Sequence, residues 1–340
     1  MVKKIRIAVT GTGGGVGQSI IKALQPTNYE IIPLDGEPLG GGLYSAKRSY
    51  LIPYAKEPTF IDRLLEVCQK EECKLLFPGL DAELSILSQA RDRFAAIGTQ
   101  VVVSSPDVIE LSDDKLLTFS RLSKHDISVP DTVDMAEHLK HGVALPAFPF
   151  ILKLRIGGAR SQDIYLIKNQ TMLDDLAKNG VELSKFVAQE YIEGDEYTCG
   201  TVNLDNECKG VIVMRRTLRD GDTNKCFSVK DDIIEAEVRK VMDVLKPFGA
   251  CNVQLRMKNG KPYIFEINAR CSGTTAARAL CGFNEPKMIA DYLCSGIEPS
   301  YDIKEQTILR YWKELVVDNQ HIAELEQTGQ RNVEEGFQLL

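Results

Sequence analysis

The sequence predicts a mixed fold, with a parallel, doubly wound α/β layer first and antiparallel α+β structure after it. Three observations carry this. Residues 5–11, IRIAVTG, form a continuous apolar run ending in glycine, which is the pattern of a strand buried on both faces. Strand-like and helix-like segments then alternate as far as residue 105, as they do where parallel strands are joined by crossover helices. From residue 148 onward, apolar strands are joined by short turns, of which Lys258-Asn259-Gly260-Lys261 is the plainest hairpin signal.

Composition narrows the function classes. A chain of 340 residues has room for two or three subdomains with substantial cores. Its 44% hydrophobic and 26% charged content is that of a soluble globular protein. A net charge of −7 argues against a general nucleic-acid binder, although a local basic pocket for a nucleotide is compatible with it. Nine cysteines form no Cys-x-x-Cys pair, and several lie in apolar runs, so we read them as buried thiols in a reducing cytoplasm. Four scattered histidines give no zinc spacing. The N-terminal stretch offers two lysines and a five-residue apolar strand, neither a signal peptide nor a membrane span.

Taken in order, the first strand leads into glycines 11, 13, 14, 15 and 17 and the helical pattern Ser19–Leu24. A helix start after a glycine-rich turn suits an anion. The spacing is not G-x-G-x-x-G, but Asp35 ends the next strand where a dinucleotide fold places its ribose acid. An NAD-dependent reductase is therefore one alternative; tight turning and helix packing is the other use of these glycines. Thr59–Glu72 reads as a helix, 74–81 as a strand, Ala82–Ile97 as a helix and 101–105 as a strand. Asp81 and Glu83 follow a strand's C-terminal end, where open α/β sheets bind ligands, so a substrate role stands beside helix capping. Residues 106–131 read as a helical linker in which Ser112 caps the helix carrying Lys115. On sequence alone, a lysine such as Lys115 is more often a solvated helix lysine.

In residues 148–167 an apolar strand delivers Lys153, and Gly157-Gly158-Ala159-Arg160-Ser161 turns the chain back into a second strand. Backbone N–H groups of such a loop can wrap phosphate oxygens, and the lysine adds a point charge. The loop lacks Gly-Lys-Ser/Thr and is no Walker P-loop. Residues 185–202 run through Glu190, Tyr191 and Ile192 to the acidic turn ending in Glu196. A strand and a basic loop occupy 210–226; Arg215 and Arg216 face opposite sides, and Arg216 is preferred for the cleft. Helix Asp231–Phe248 precedes the hairpin of 250–268. There Glu266 and Asn268 share one face, Ile267 takes the other, and pairing brings Gln254 beside them. Three oxygen-bearing side chains with one formal charge suit Mg²⁺ that shares its shell with substrate phosphates. Arg270 follows with the same facing, and a helix start at 272–275 leads to Arg278. Two arginines and exposed N–H groups suit an acyl phosphate or a carboxylate; plain capping by Ser272 or Thr274 is the alternative. Cys271 has no histidine nearby in sequence and reads as a packed thiol. A helix at Pro286–Ser295, a final strand near 306–317 and a polar, frayed 318–340 complete the chain.

Asn252-x-Gln254, the hairpin, and Glu266-x-Asn268-x-Arg270 resemble the metal-binding end of the ATP-grasp superfamily, in the style of carbamoyl phosphate synthetase large-subunit halves and related carboxylate–amine ligases. Ala269 stands where many relatives carry Pro. Asp114-Lys115 with Asp126-Ile127-Ser128-Val129-Pro130 also matches, whereas Arg160 and Asp163 depart from the usual Gly-x-Gly-Ser-x-Gly lid. The resemblance covers roughly residues 1–315. It implies an ATP-grasp fold: a Rossmann-like first domain over 1–110, a helical linker over 111–145, a lid over 146–202, a metal-bearing half over 203–317 and a tail over 318–340. It implies that Lys115, Lys153, Gly157, Gly158, Arg160, Ser161 and Arg216 serve the phosphates of ATP. Glu190, Tyr191 and Ile192 would meet the adenine, and Glu196 the ribose. Gln254, Glu266 and Asn268 would bind Mg²⁺, with Mn²⁺ as the alternative ion, and Arg270 and Arg278 would steady an acyl phosphate. The implied reaction joins a small-molecule carboxylate to an amine and releases ADP; a bicarbonate or carbamate kinase, or a non-catalytic nucleotide module, are the alternatives. A complete carbamoyl phosphate synthetase large subunit is a tandem of two such units, and this chain has one. Homodimerisation is a fold-level expectation.

Overall fold

Alternation up to residue 105 becomes a parallel sheet. The computed structural model describes residues 4–158, 163–311, 313–334 and 336. Strands β1 (Arg6–Val9), β2 (Glu30–Asp35), β3 (Arg48–Leu51), β4 (Leu75–Phe77) and β5 (Gln100–Val101) lie in the order β3-β2-β1-β4-β5, all parallel. Helices α1 (Gly15–Leu24), α2 (Phe60–Lys70), α3 (Asp81–Gln89) and α4 (Arg91–Ala96) cover the two faces. Ile7 and Val9 enter one core and Ala8 the other, which is why β1 reads as unbroken apolar sequence. Helix α1 starts at Gly15, ahead of the predicted Ser19. The single helix expected over 82–97 is broken at Ala90, whose φ −92° and ψ 4° leave the helical region.

The linker holds two helices, α5 (Pro106–Asp113) and α6 (Lys115–Ser123). Asp114, not Ser112, caps α6: its carboxylate accepts the Leu116 and Leu117 N–H groups at 2.9 and 3.3 Å. Ser112 instead donates to the Ile109 carbonyl within its own helix. Strand β6 (Thr132–Asp134), helix α7 (Met135–His141), strands β7 (Phe150–Leu154) and β8 (Ile164–Ile167), helix α8 (Gln170–Lys178) and strand β9 (Phe186–Glu190) follow. Their antiparallel sheet has the order β6-β9-β7-β8, and Phe150, Leu152, Ile167 and Phe186 pack beneath it with Leu173 of α8.

A third sheet is built from β10 (Glu196–Leu204), β11 (Glu207–Arg219), β12 (Asp222–Ser228), β13 (Gly249–Lys258), β14 (Lys261–Asn268) and β15 (Thr307–Leu309), in the order β14-β13-β10-β11-β12-β15. The stretch read as a basic loop is thus a long hairpin, β11 to β12. Helix α9 (Asp232–Leu245) covers one face, with Ile234, Val238 and Val241 against Cys199, Val253, Leu255 and Ile267. Helices α10 (Thr275–Leu280) and α11 (Glu285–Ser295) lead back to the first sheet, where α10 packs on α1.

Residues beyond 317 differ from expectation. After α12 (Asn319–Thr328), strand β16 (Gln330–Asn332) pairs antiparallel with β3, so the first sheet has a sixth strand on its outer edge. Polar composition hid this because an edge strand needs few apolar residues. No helix among the described residues is long and apolar enough to cross a membrane. Arg331 of β16 is buried, donates to the Ala46 carbonyl at 2.9 Å and stacks on Tyr44. Arg331→Ala should therefore lower stability by about 1–3 kcal/mol, read as a lower urea midpoint with an unchanged slope; an unmoved midpoint would make β16 dispensable.

Candidate active site

The site grows from the hairpin of β13 and β14. Asn259 and Gly260 take φ of 54° and 75°, the two-residue turn that matches strand twist. Gln254 then pairs with Glu266 and Asn252 with Asn268. Between Gln254 and Leu255 the register slips, so Phe265 is an extra residue on β14. The carbonyl of this bulged residue accepts a hydrogen bond from Lys153 Nζ at 2.8 Å, joining the four-stranded sheet of β6 to β9 to the hairpin. Glu266 Oε1 accepts from Gln254 Nε2 at 3.0 Å and from Asn268 Nδ2 at 2.9 Å.

One row further, Arg216, Glu196 and Arg256 lie opposite one another on β11, β10 and β13. Glu196 Oε1 accepts from Arg216 at 2.9 and 2.7 Å, and Oε2 accepts from Arg256 at 3.2 and 2.8 Å. Arg216 also donates to Gln254 Oε1. Beyond the hairpin, Arg270 grips both Asp81 oxygens at 2.8 Å and reaches Asn268 Oδ1 at 3.2 Å. A strip of contacts thus runs Arg256–Glu196–Arg216–Gln254–Glu266–Asn268–Arg270–Asp81. Lys115 and Lys153 both feel the Glu266 charge.

Lys115 Nζ donates to the Gly157 carbonyl at 2.8 Å, and the Gly157 N–H donates to Asp113 Oδ1 at 3.0 Å. Gly157 and Gly158 have φ of 72° and 86°, a turn that few other residues adopt. Arg155 is clamped by Asp114 and Asp134. The junction of α5 and α6 therefore anchors the C-terminal end of β7. Arg160 and Ser161 lie outside the described residues.

Some expected roles change. All four lone-pair positions of Glu196 are taken by arginines, so ribose hydroxyls would have to displace one; the carboxylate organises Arg216 and Arg256. Glu190 faces Lys258 at 3.1 Å, Tyr191 lies under Arg256, and the Ile192 carbonyl accepts from Arg256, so these groups are already engaged within the protein. Arg278 is fully buried, paired with Glu285 at 2.7 Å, and bound to Thr198 at 3.0 Å and to Asn252; with no exposed face it supports the sheet and does not reach an acyl phosphate. A Cβ on Gly200 would sit 2.3 Å from Glu285 Oε1 and 2.4 Å from Arg278 Nη1, so this pair lies flat on bare backbone. Asp35 binds the Gly13 N–H at 2.6 Å and the Glu37 N–H at 2.9 Å, which makes it a brace of the glycine turn and removes the support for NAD. Glu83 is buried on Thr10 at 2.5 Å and is structural. Cys271 is a packed thiol whose burial pushes its pKa up. Arg215 turns away onto the Phe227 ring. Arg256 was missed, although its spacing of two from Gln254 puts it on the same face.

Gln254, Glu266 and Asn268 supply one carboxylate and two amides, and both amides turn nitrogen toward Glu266 and oxygen toward an arginine. No cluster of three His, Cys, Asp or Glu exists among the described residues. A hard cation fits this set once each amide rotates, and needs further oxygens from phosphate.

Two family models match: a PylC-like N-terminal domain over residues 5–102, and an ATP-grasp domain of the biosynthetic pathway with Ter operon over 182–314. The chain has the ATP-grasp fold. A carbamoyl phosphate synthase large chain from Thermoanaerobacter sp. (strain X514) is 23% identical over 248 residues, 64% of this chain and 22% of that one. The chain spans about a fifth of the length of the curated relatives it matches first. Among solved structures, an L-amino acid ligase from Bacillus licheniformis superposes with a TM-score of 0.69 at 14% identity, covering 88% of this chain and 76% of the other. N5-carboxyaminoimidazole synthetase from Staphylococcus aureus, complexed with ADP, gives 0.69 at 18% identity, covering 88% and 81%.

Lys153 titrates well below an ordinary lysine. Burial, the largest cause, lowers it to about 7, with the nearby Lys115 charge adding to the effect and Glu266 opposing it. The unfolded lysine titrates near 10.5. Between those values the unfolded chain binds the extra proton, so this group's contribution to stability rises with pH and is lost as pH falls through about 7. Urea midpoints at about pH 6 and about pH 9 should differ more in the native chain than in Lys153→Met; equal differences would mean that Lys153 is solvated.

Proposed function

We propose that the chain is an ATP-dependent ligase that joins a carboxylate to an amine through an acyl phosphate and releases ADP and phosphate. The observation that carries this is the strip itself. Five basic side chains, Lys115, Lys153, Arg216, Arg256 and Arg270, gather around three carboxylates, Glu196, Glu266 and Asp81, with Lys153 buried behind the hairpin. The excess of positive charge suits a triphosphate. The strip has neither a histidine nor an activated thiol, as phosphoryl transfer requires mainly positioning and charge neutralisation. The likeness to carbamoyl phosphate synthase and to an L-amino acid ligase supports the same reading.

In this mechanism a carboxylate oxygen attacks the γ-phosphorus. The bond to the β–γ bridging oxygen breaks, and its electron pair leaves with ADP. An amine lone pair then attacks the acyl carbon, the acyl C–O bond breaks, phosphate leaves with that pair, and the amine proton passes to solvent. Lys153 and Lys115 hold phosphate oxygens against the lid, and Arg216 does so from the sheet. Arg270 steadies the acyl phosphate. Glu266, with the oxygens of Gln254 and Asn268, would hold magnesium, or manganese, which when bound neutralises phosphate oxygens. Nine free cysteines fit a reducing compartment such as the cytoplasm.

Glu266→Ala removes the charged member of the metal set from a half-buried position. We expect ADP release to fall by about a hundredfold or more in a coupled assay, with the urea midpoint little changed. Turnover at the native rate would end the assignment.

A further inference from the structure

Resting on the ligase reading, we infer that the Gln254 and Asn268 amides form a latch. They keep Arg216 and Arg270 occupied until a divalent cation is bound at Glu266, so the site takes cation and nucleotide phosphates together and neither well alone. The contacts have a sense that chemistry fixes. Arginine only donates, a carboxylate only accepts, and a primary amide does one at each end. Arg216 donates to Gln254 Oε1, and Gln254 Nε2 donates to Glu266 Oε1 at 3.0 Å. From the other side Arg270 Nη2 donates to Asn268 Oδ1 at 3.2 Å, and Asn268 Nδ2 donates to Glu266 Oε1 at 2.9 Å. Both chains of bonds end on one oxygen, and each amide has a single orientation that satisfies both of its neighbours.

That orientation is the wrong one for a hard cation, which takes oxygen ligands. For either amide to serve as a ligand it must turn over. The turn breaks its N–H bond to Glu266 and sets its NH₂ against a guanidinium N–H, donor facing donor. The arginines are not free to swing away. Glu196 holds Arg216 through Nε and Nη2 at 2.9 and 2.7 Å, and Thr223 Oγ1 accepts from its Nη1 at 3.3 Å. Asp81 holds Arg270 through Nε and Nη2, both at 2.8 Å, and the Cys271 carbonyl accepts from its Nη1 at 3.0 Å. The two arginine side chains are only 12% and 11% exposed. Each guanidinium plane is therefore fixed, and the donor that loses its amide oxygen needs a new acceptor.

The neighbouring side chains do not supply that acceptor. Asn252 stands opposite Asn268 across the hairpin, but its Oδ1 already accepts from Thr198 at 2.8 Å and from Arg278. A phosphate oxygen that shares the cation's shell does supply it. Cation alone leaves two donors unmet, and phosphate alone finds both arginines committed to amide oxygens. Together they satisfy every group in the strip. Lys115 and Lys153 donate to the Gly157 and Phe265 carbonyls, so the coupling runs through the arginines.

ADP binding to the purified chain should be measured by calorimetry, once in EDTA and once in excess Mg²⁺. In the native chain Mg²⁺ should tighten ADP by at least about tenfold. Gln254→Leu and, separately, Asn268→Leu each remove one arm of the latch and free its arginine. Either variant should bind ADP in EDTA about threefold or more tightly than the native chain does, and Mg²⁺ should then add less than about threefold. Both positions are partly exposed, and a urea midpoint near the native one shows that a variant has folded. Amides that act as plain metal ligands give unchanged or weaker affinity in EDTA and only a smaller gain with Mg²⁺. That result, or no tightening by Mg²⁺ in the native chain, overturns the latch and leaves the ligase reading intact. No ADP binding under either condition overturns both.

Discussion

The site depends on one register. Gln254 faces Glu266 only because a two-residue turn closes β13 onto β14, and only because a single extra residue is absorbed at Phe265. Without that bulge every side chain beyond it would change face. The same irregularity frees the Phe265 carbonyl for Lys153, so the hairpin that gathers the candidate metal ligands also fixes the sheet of β6 to β9 against them. Core packing pins the arrangement from behind: Val253, Leu255, Ile264 and Ile267 lie in the layer under α9.

Charge in the cleft is arranged so that the carboxylates organise arginines. Glu196 aligns Arg216 and Arg256 across three strands, and Asp81 aligns Arg270 across two sheets. Arginine held by a bidentate carboxylate keeps its plane fixed, and the remaining N–H groups are pre-aimed. Lys153 differs: it is buried, and that burial lowers its titration to about 7. A second arrangement of opposite purpose lies deeper, where Arg278 and Glu285 neutralise each other below the strand face.

Much of this was legible in the residues. Period-two alternation put Glu266 and Asn268 on one face, and the Asn-Gly turn announced the hairpin. Counted from that turn alone, Gln254 would meet Phe265; only the bulge, which the sequence does not announce, brings it to Glu266. The unbroken apolar run at 5–11 announced a doubly covered strand. Other features needed tertiary facts. Nothing local distinguishes Arg270, which meets Asp81 from 189 residues away in sequence, from Arg278, which meets Glu285 seven residues on in the interior. Glu196 looked like a free carboxylate because its saturation comes from two other strands. Ser112 and Asp114 are both good caps, and only the kink between α5 and α6 decides between them. Strand β16 is recognised solely by its pairing with β3.

The central claim is that this strip gathers metal and triphosphate together. A crystal structure with ADP and Mn²⁺, phased to show the anomalous signal of manganese, tests it most directly. The account predicts manganese within about 2.2 Å of a Glu266 oxygen, with the nucleotide phosphates between Lys153 and Arg216. Manganese and nucleotide at any other surface, with Glu266 still bound to Gln254 and Asn268 alone, would contradict it.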